Sequence, residues 1–191
     1  MDIFWLKGFQ GASLAALERG TGVNRFGLYA DFGNKRGLFE AALHRYVDEV
    51  VPVSMGGLHR EDAGVAEIRE VVLRFAGAAG TDRGQRGCMI CNMATELGSS
   101  DKSVTGPFKR YTDAITAAFQ NGLEGAVDRG EAPPHLDPEE EARLFTTVVL
   151  GMFVLVKGGG DPALLAASSR LLLARLEPQV AGSESPQTIT P

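Results

Sequence analysis

The stretch "GVNRFGLYADFGNKRGLF", residues 22–39, decides how this 191-residue chain is read. Its glycines make it too small and too interrupted for an ordinary core segment, yet apolar side chains recur through it at Val23, Leu28, Phe32, Leu38 and Phe39. Asn24 stands ahead of RFGLYADF, Gly33 breaks that run, and Asn34 stands ahead of KRGLFEAALHRYVDEVV. Asparagine is favoured just before a helix because its side-chain oxygen accepts from a free amide of the first turn. The stretch therefore predicts a short helix, a break, and a long helix running to a boundary at Pro52.

Upstream, Ser13 caps LAALERG, which ends at Gly20 and Gly22, and residues 1–7 form a helical remnant stopped by Gly8, with Ile3 and Phe4 facing inward. Two helices of about two turns each do not hold alone, because nucleation is costly and each buries one narrow stripe. The long segment from Lys35 supplies a backing face of Leu38, Phe39, Ala42 and Leu43, set opposite Leu14, Leu17, Val23 and Leu28. This is a helix-turn-helix arrangement, whose second helix offers its N-terminal side chains to a major groove. Asn24, Arg25, Phe26 and Gly27 then face base edges, while Leu28 and Phe32 point inward. Tyr29 and Lys35 fall where they grip phosphates, and the amides opening the helix at Lys35 add a small anion site. Arg25 alone here suits bidentate recognition of guanine. Spacing by itself leaves open a plain three-helix packing with ordinary surface charges.

Composition agrees with a folded helical protein. Hydrophobic residues make up 44% and charged residues 23%, enough to bury a sizeable core. Net charge is −5, but residues 1–46 carry six Lys/Arg against four Asp/Glu, so a mildly basic N-terminal unit is followed by an acidic body. No basic leader precedes an apolar run at the start, and no stretch approaches the ~18 apolar residues of a membrane helix, so a cytoplasmic protein without a membrane partner is expected. No alternating strands joined by a hairpin are visible, which makes the fold all-α. Beyond Pro52 the helical segments are AEIREVVLRFAGAAG, CMICNMATELG, a long one from SSDKSVTGPF to Gly130, one opened by Asp137 and Pro138 and carrying Leu144 to Val156, and one from Asp161 and Pro162 to near Leu176. The domains expected are 1–46, 47–177 and a disordered tail, 178–191.

Chemistry is sparse. No G-x-S-x-G, H-E-x-x-H, Walker loop or strand-borne GxGxxG occurs, so an enzyme is not expected. The run Glu139 to Glu141 opens a helix, where the dipole accounts for it. Cys88 and Cys91 lack the further ligands of a zinc site, since His44, His59 and His135 are scattered, and neither metal nor cofactor is expected. Two buried structural thiols are the plain reading of the pair. The alternative is a thiol-based redox sensor, in which Cys88 is activated at a helix start near Arg83 and Arg86.

The run KGFQGASLAALERGTGVNRFGLYADFGNKRGLFEAAL resembles the DNA-binding domain of TetR-type transcriptional regulators. The matching positions are Gly8, Phe9, Ser13, Gly22, Val23, Leu28, Tyr29, Phe32, Lys35, Leu38 and Phe39, and the rest of the chain is similar to the family's helical regulatory domain. The resemblance implies double-stranded DNA as partner, with Ser13 among the contacts, and a homodimer that releases an inverted-repeat operator when it binds a small effector. A typical member has a full first helix ahead of the position of Gly8. The expectation here is a chain begun at an internal methionine, its missing turns exposing Leu17 and Phe39; a genuine short start would leave a DNA-blind, ligand-binding dimer. Leu14 and Ala15 are apolar where the family often helps contact DNA, which throws base readout onto Arg25.

For the effector, Phe75, Met89, Met93, Phe108, Tyr111 and Phe119 are candidate walls of an adaptable cavity, and the amide of Asn92 needs a partner. For the dimer, Val148, Gly151 and Met152 are candidates, together with Leu165, Leu172 and Leu176, with Gly151 allowing close approach of another helix.

Overall fold

The computed structural model describes residues 1–78, 81 and 84–177. The expected tail, 178–191, and Arg83 lie outside the described residues. Among the described residues ten α-helices follow in order: α1 (Asp2–Gly11), α2 (Leu14–Thr21), α3 (Arg25–Phe32), α4 (Lys35–Arg45), α5 (Val51–Met55), α6 (Val65–Gly77), α7 (Met89–Leu97), α8 (Lys102–Asp128), α9 (Pro138–Lys157) and α10 (Pro162–Ala174). No strand occurs among the described residues.

The caps read from the sequence are present. Ser13 Oγ accepts from Ala16 N at 3.2 Å, Asn24 Oδ1 from Gly27 N at 3.0 Å and Asn34 Oδ1 from Gly37 N at 3.1 Å. Asp137 takes the amides of Glu139 and Glu140, and Asp161 that of Ala163. Each bond satisfies an amide that the helix itself leaves unpaired.

Three expectations are corrected. Leu17 and Phe39 are covered, at 2% and 0% exposure, because α1 extends over them. Phe39 lies between Phe4, at 5.3 Å between ring centroids, and Phe9, at 4.8 Å. Val23 and Phe32 do not point inward: they are 42% and 38% exposed. Val23 occupies the turn between α2 and the cap of α3, and Phe32 ends α3 just before Gly33, so neither has a helix packed across it. The segment after α4 does not stop at Pro52, since Tyr46–Val50 widens into a π-helical turn and Pro52 falls in the first turn of α5, where its missing amide costs nothing. Gly8, with non-helical φ 71° and ψ 179°, breaks α1 where the sequence places a stop, and the helix resumes beyond it to Gly11.

The α1–α4 unit sits against α7 and α8. Its buried apolar side chains join most of those of the remaining helices in one core running from Phe4 to Leu176, beside a small second cluster of Met152, Val156 and Leu165. No described helix is long and apolar enough to cross a membrane.

Candidate DNA-reading helix and effector cavity

Helix α3 is short and tightly held. Besides the Asn24 cap, Glu18 Oε1 accepts from Arg25 N at 2.6 Å, which ties the start of α3 to α2. Leu28 is buried, whereas Asn24, Arg25 and Phe26 are exposed, Phe26 at 77%. The Arg25 guanidinium rests 5.3 Å from the Phe26 ring centroid. A cation and a large apolar ring thus stand at the N-terminal tip of a helix whose Arg25 and Gly27 amides are already bonded. Ser13 and Asn24 spend side-chain oxygens on their caps, which leaves the Ser13 hydroxyl proton and the Asn24 amide group as donors. Gly27 and Tyr29 are half-buried. Lys35 Nζ lies over the Phe9 ring at 4.7 Å and 3.5 Å from Gln10 O, so its charge is parked beside α1. Arg36 stacks on the same ring at 4.2 Å and donates to Asp101 and Ser103 at the head of α8.

Behind this unit lies a cavity of about 660 Å³, within the ~300–1,000 Å³ usual for small-molecule sites. Two of the expected wall residues, Phe75 and Tyr111, line it. Met89, Met93 and Phe119 are instead buried in the continuous core at 0–2% exposure, and Phe108 is half-buried against that core. Asn92 has its partner in the Arg86 carbonyl at 2.8 Å and borders, with Met93, a smaller cleft. The other walls were not singled out from sequence: Trp5 from α1, Tyr46 and Val50 from the π-helical turn, Met55 from α5 and Phe153 from α9. Tyr46 and Val50 stand four residues apart within the π-helical turn and so share its cavity-facing side. Arg74 and Glu49 also border the cavity, Arg74 bound to Glu70 and to the Ser54 carbonyl, and Glu49 bound to Arg45.

Both cysteines are free and buried. Cys88 caps α7 and lies between two phenols: its thiol donates to Tyr111 Oη at 3.1 Å and accepts from Tyr46 Oη at 3.6 Å. Burial pushes the Cys88 thiol up, but hydrogen bonding with Cys91 and Tyr111 outweighs it and brings it down to about 7. Cys91 is pushed up by its hydrogen bond to Cys88 and by burial. Burial, with Cys88 alongside, holds Tyr46 and Tyr111 well above the usual tyrosine range, so both stay protonated. Arg86, expected to activate Cys88, is turned toward Asp2 at 3.8 Å.

Met152 on α9, Leu165 and Leu172 on α10 and Leu176 just beyond it are spent inside the chain, at 0–4% exposure, and so do not form an outward face. Val148 is half-buried. The open stripe is made instead by Leu144, Thr147, Gly151 and Val154 on α9 and by Leu164 and Leu171 on α10, the last at 66% exposure. A side chain added at Gly151 would meet nothing within 4 Å.

A family model described as "Bacterial regulatory proteins, tetR family" matches residues 1–42, the helices that carry the Arg25 tip. A second, "Tetracyclin repressor-like, C-terminal domain", matches residues 64–172, more than half of the chain. The chain belongs to the TetR family. It is similar to the HTH-type transcriptional repressor ComR of Escherichia coli, 29% identical over 162 residues that cover 84% of this chain and 77% of ComR. Its fold matches a cysteine mutant of the TetR family regulator CifR complexed with 26bp operator DNA, with a TM-score of 0.76 at 26% identity over 91% of each chain. It also matches a TetR family regulator from Agrobacterium tumefaciens, with a TM-score of 0.76 at 18% identity over 92% of each chain. As a TetR family member the chain is a DNA-binding transcriptional regulator, not an enzyme.

Proposed function

We propose that the chain is a homodimeric repressor, which holds an inverted-repeat operator through α3 and releases it when a small compound fills the cavity. Residues 1–46 are the reading unit and 47–177 the effector and dimer unit. The observation that carries the reading is the exposed Arg25–Phe26 tip on a helix pinned by Asn24 and Glu18. Rigid presentation lowers the ordering cost of a base contact, and arginine supplies the bidentate geometry that guanine requires. Lys35 and Tyr29 take the phosphate role, Lys35 after leaving Phe9. The complex of the CifR mutant with operator DNA supports this assignment at the level of the shared fold.

The dimer uses the stripe of Leu144, Gly151, Val154, Leu164 and Leu171, because an exposed apolar face of this kind calls for a partner. A second copy places two reading tips one DNA turn apart, about 34 Å. The effector is mainly apolar with one polar group: the walls are largely aromatic and aliphatic, with Glu49 and Arg74 at the border, and the Tyr46 and Tyr111 hydroxyls, which meet the weakly hydrogen-bonding Cys88 sulfur, can turn to a better partner. The thiol-sensor alternative is disfavoured, since Cys88 is 1% exposed and Arg86 is engaged elsewhere.

The test is selection of bound duplexes from a random pool, followed by footprinting. An inverted repeat with half-sites about 10 base pairs apart, centre to centre, is expected. A direct repeat, or no enriched sequence, rejects the proposal.

A further inference from the structure

Trp5 belongs to the reading unit by its place in the chain, yet its side chain lines the cavity behind that unit. It lies one residue after Phe4, and successive residues on a helix point about 100° apart. Phe4 therefore packs on Phe39 of α4, while Trp5 turns away and meets Tyr46 edge-on at 5.2 Å. The indole Nε1 donates to Gly87 O at 3.1 Å.

That acceptor is held firmly. Gly87 has φ +65°, and a Cβ there would approach Lys157 Cβ at 3.1 Å and Phe153 O at 3.2 Å. Only glycine takes this conformation readily, so the turn into α7 is fixed by its own backbone. Asn92 Nδ2 secures the preceding carbonyl, that of Arg86, at 2.8 Å.

The far end of α1 is fixed as well, and to the same helix. Glu96, near the end of α7, accepts from Phe9 N at 3.0 Å and from Gln10 N at 2.8 Å. Between the two attachments α1 is kinked at Gly8, φ +71°, where a Cβ would fall 2.2 Å from Glu96 Oε2. The arm Asp2–Lys7 is thus pivoted at Gly8, with its other attachment at the cavity. A surface tie, Asp2 to Arg86 at 3.8 Å, is exposed and adds little, while Ile3 beside Gly20 and Phe4 on Phe39 couple the arm to α2 and α4.

We propose that Trp5 touches the effector directly and is the lever by which an occupied cavity reaches the DNA-reading helices. This rests on the reading that the cavity holds an effector. A planar aromatic molecule seated against Tyr46 and Tyr111 occupies the space beside the indole and breaks its bond to Gly87. The arm then swings about Gly8 and carries Phe4, hence Phe39 and α4, which backs α3. Two discrete arrangements of one packed arm are the kind of bistable element that carries coupling between sites.

Trp5 is the sole tryptophan of the chain, so the lever reports on itself. The probe is anilinonaphthalene sulfonate, an aromatic dye that accepts energy from tryptophan, added to the full-length protein with and without operator duplex. Trp5 emission should be quenched in step with dye binding, and bound dye should weaken operator binding about 10-fold, within the usual range of coupling. Trp5→Phe keeps a ring but loses the N–H donor: it should still bind dye, with a coupling below about 3-fold, more than 0.7 kcal/mol less than the parent at about 1.4 kcal/mol per decade. Bound dye that leaves Trp5 emission unchanged, or leaves the parent's operator affinity unchanged, overturns the proposal, as does full coupling in Trp5→Phe. If Trp5→Phe fails to fold by circular dichroism, the parent's emission and coupling decide. Ala78→Phe, which fills the cavity from another wall, separates the two claims: it should abolish dye binding. Absence of dye binding in the parent, or undiminished binding in Ala78→Phe, overturns the effector-cavity reading and this proposal with it.

Discussion

The two halves of the molecule put their functional side chains on opposite sides of their surfaces. Helices α1–α4 work outward, with Arg25 and Phe26 in solvent and the aromatic stack of Phe4, Phe39 and Phe9 behind them. Helices α5–α10 work inward, with Phe75 and Tyr111 at 7% and 2% exposure around an internal space. An outward site needs caps and turns that fix a tip, while an inward site needs a core that stops short of closing. Mutations should therefore separate the halves by what they damage.

The largest effect is expected at the stack. Phe39→Ala removes a fully buried ring and should cost about 3–5 kcal/mol. Because one core runs through both halves, thermal unfolding should remain a single transition at lower temperature. Two resolved transitions by calorimetry would break the comparison, by showing that the halves unfold independently.

Gly151→Leu is the counterpart on α9. In the single chain it enters open space, so the fold should be unaffected; in the proposed dimer it forces α9 off its partner, at about 1–3 kcal/mol per subunit. Sedimentation should show weaker association with unchanged helicity. Unaltered association places the dimer elsewhere.

A smaller effect joins the halves through Asp101. Hydrogen bonds from Ser103, then from Arg36, hold its carboxyl below the usual value of 3.8. A lowered acid contributes stability that is full above its unfolded value and is lost as pH falls through the lowered one. Asp101→Asn should therefore reduce stability near neutral pH and flatten its decline below about pH 4, a range set by ordinary carboxylates. Acid titration followed by circular dichroism measures this, and an unchanged slope excludes the link.

How much of this was legible follows from the same contrast. The caps at Ser13, Asn24, Asn34, Asp137 and Asp161 are local chemistry and stand where the sequence places them. Exposure of Arg25 followed from the same local pattern. The inward face of Val23 did not hold, because helical periodicity says nothing of a residue in the turn before a cap. The cavity was legible only in part, since Met89 in the core and Phe75 on the wall belong to the same apolar periodicity. Tyr46 and Val50 share a helical face, but which face of this segment meets the cavity is set by the helices packed around it. Trp5 carried a signal that went unused: a large amphipathic ring directly after Phe4 on a short helix has to meet a different neighbour. At the dimer face, Met152 and Leu172 repeat with helical spacing just as Gly151 and Leu171 do, and only the fold decides which stripe is covered.

The central claim is that α3 reads sequence through Arg25 while Lys35 holds backbone. It is tested most directly by measuring operator and mismatched duplex affinities against salt for the parent, Arg25→Ala and Lys35→Ala. Arg25→Ala should lose about 1–3 kcal/mol on the operator and relax preference at one base pair per half-site. Lys35→Ala should weaken all duplexes alike and lower the salt slope by about one for each phosphate no longer neutralised. Base preference untouched in Arg25→Ala, with the loss spread evenly over all sequences, would contradict the assignment of α3 as the operator-reading helix.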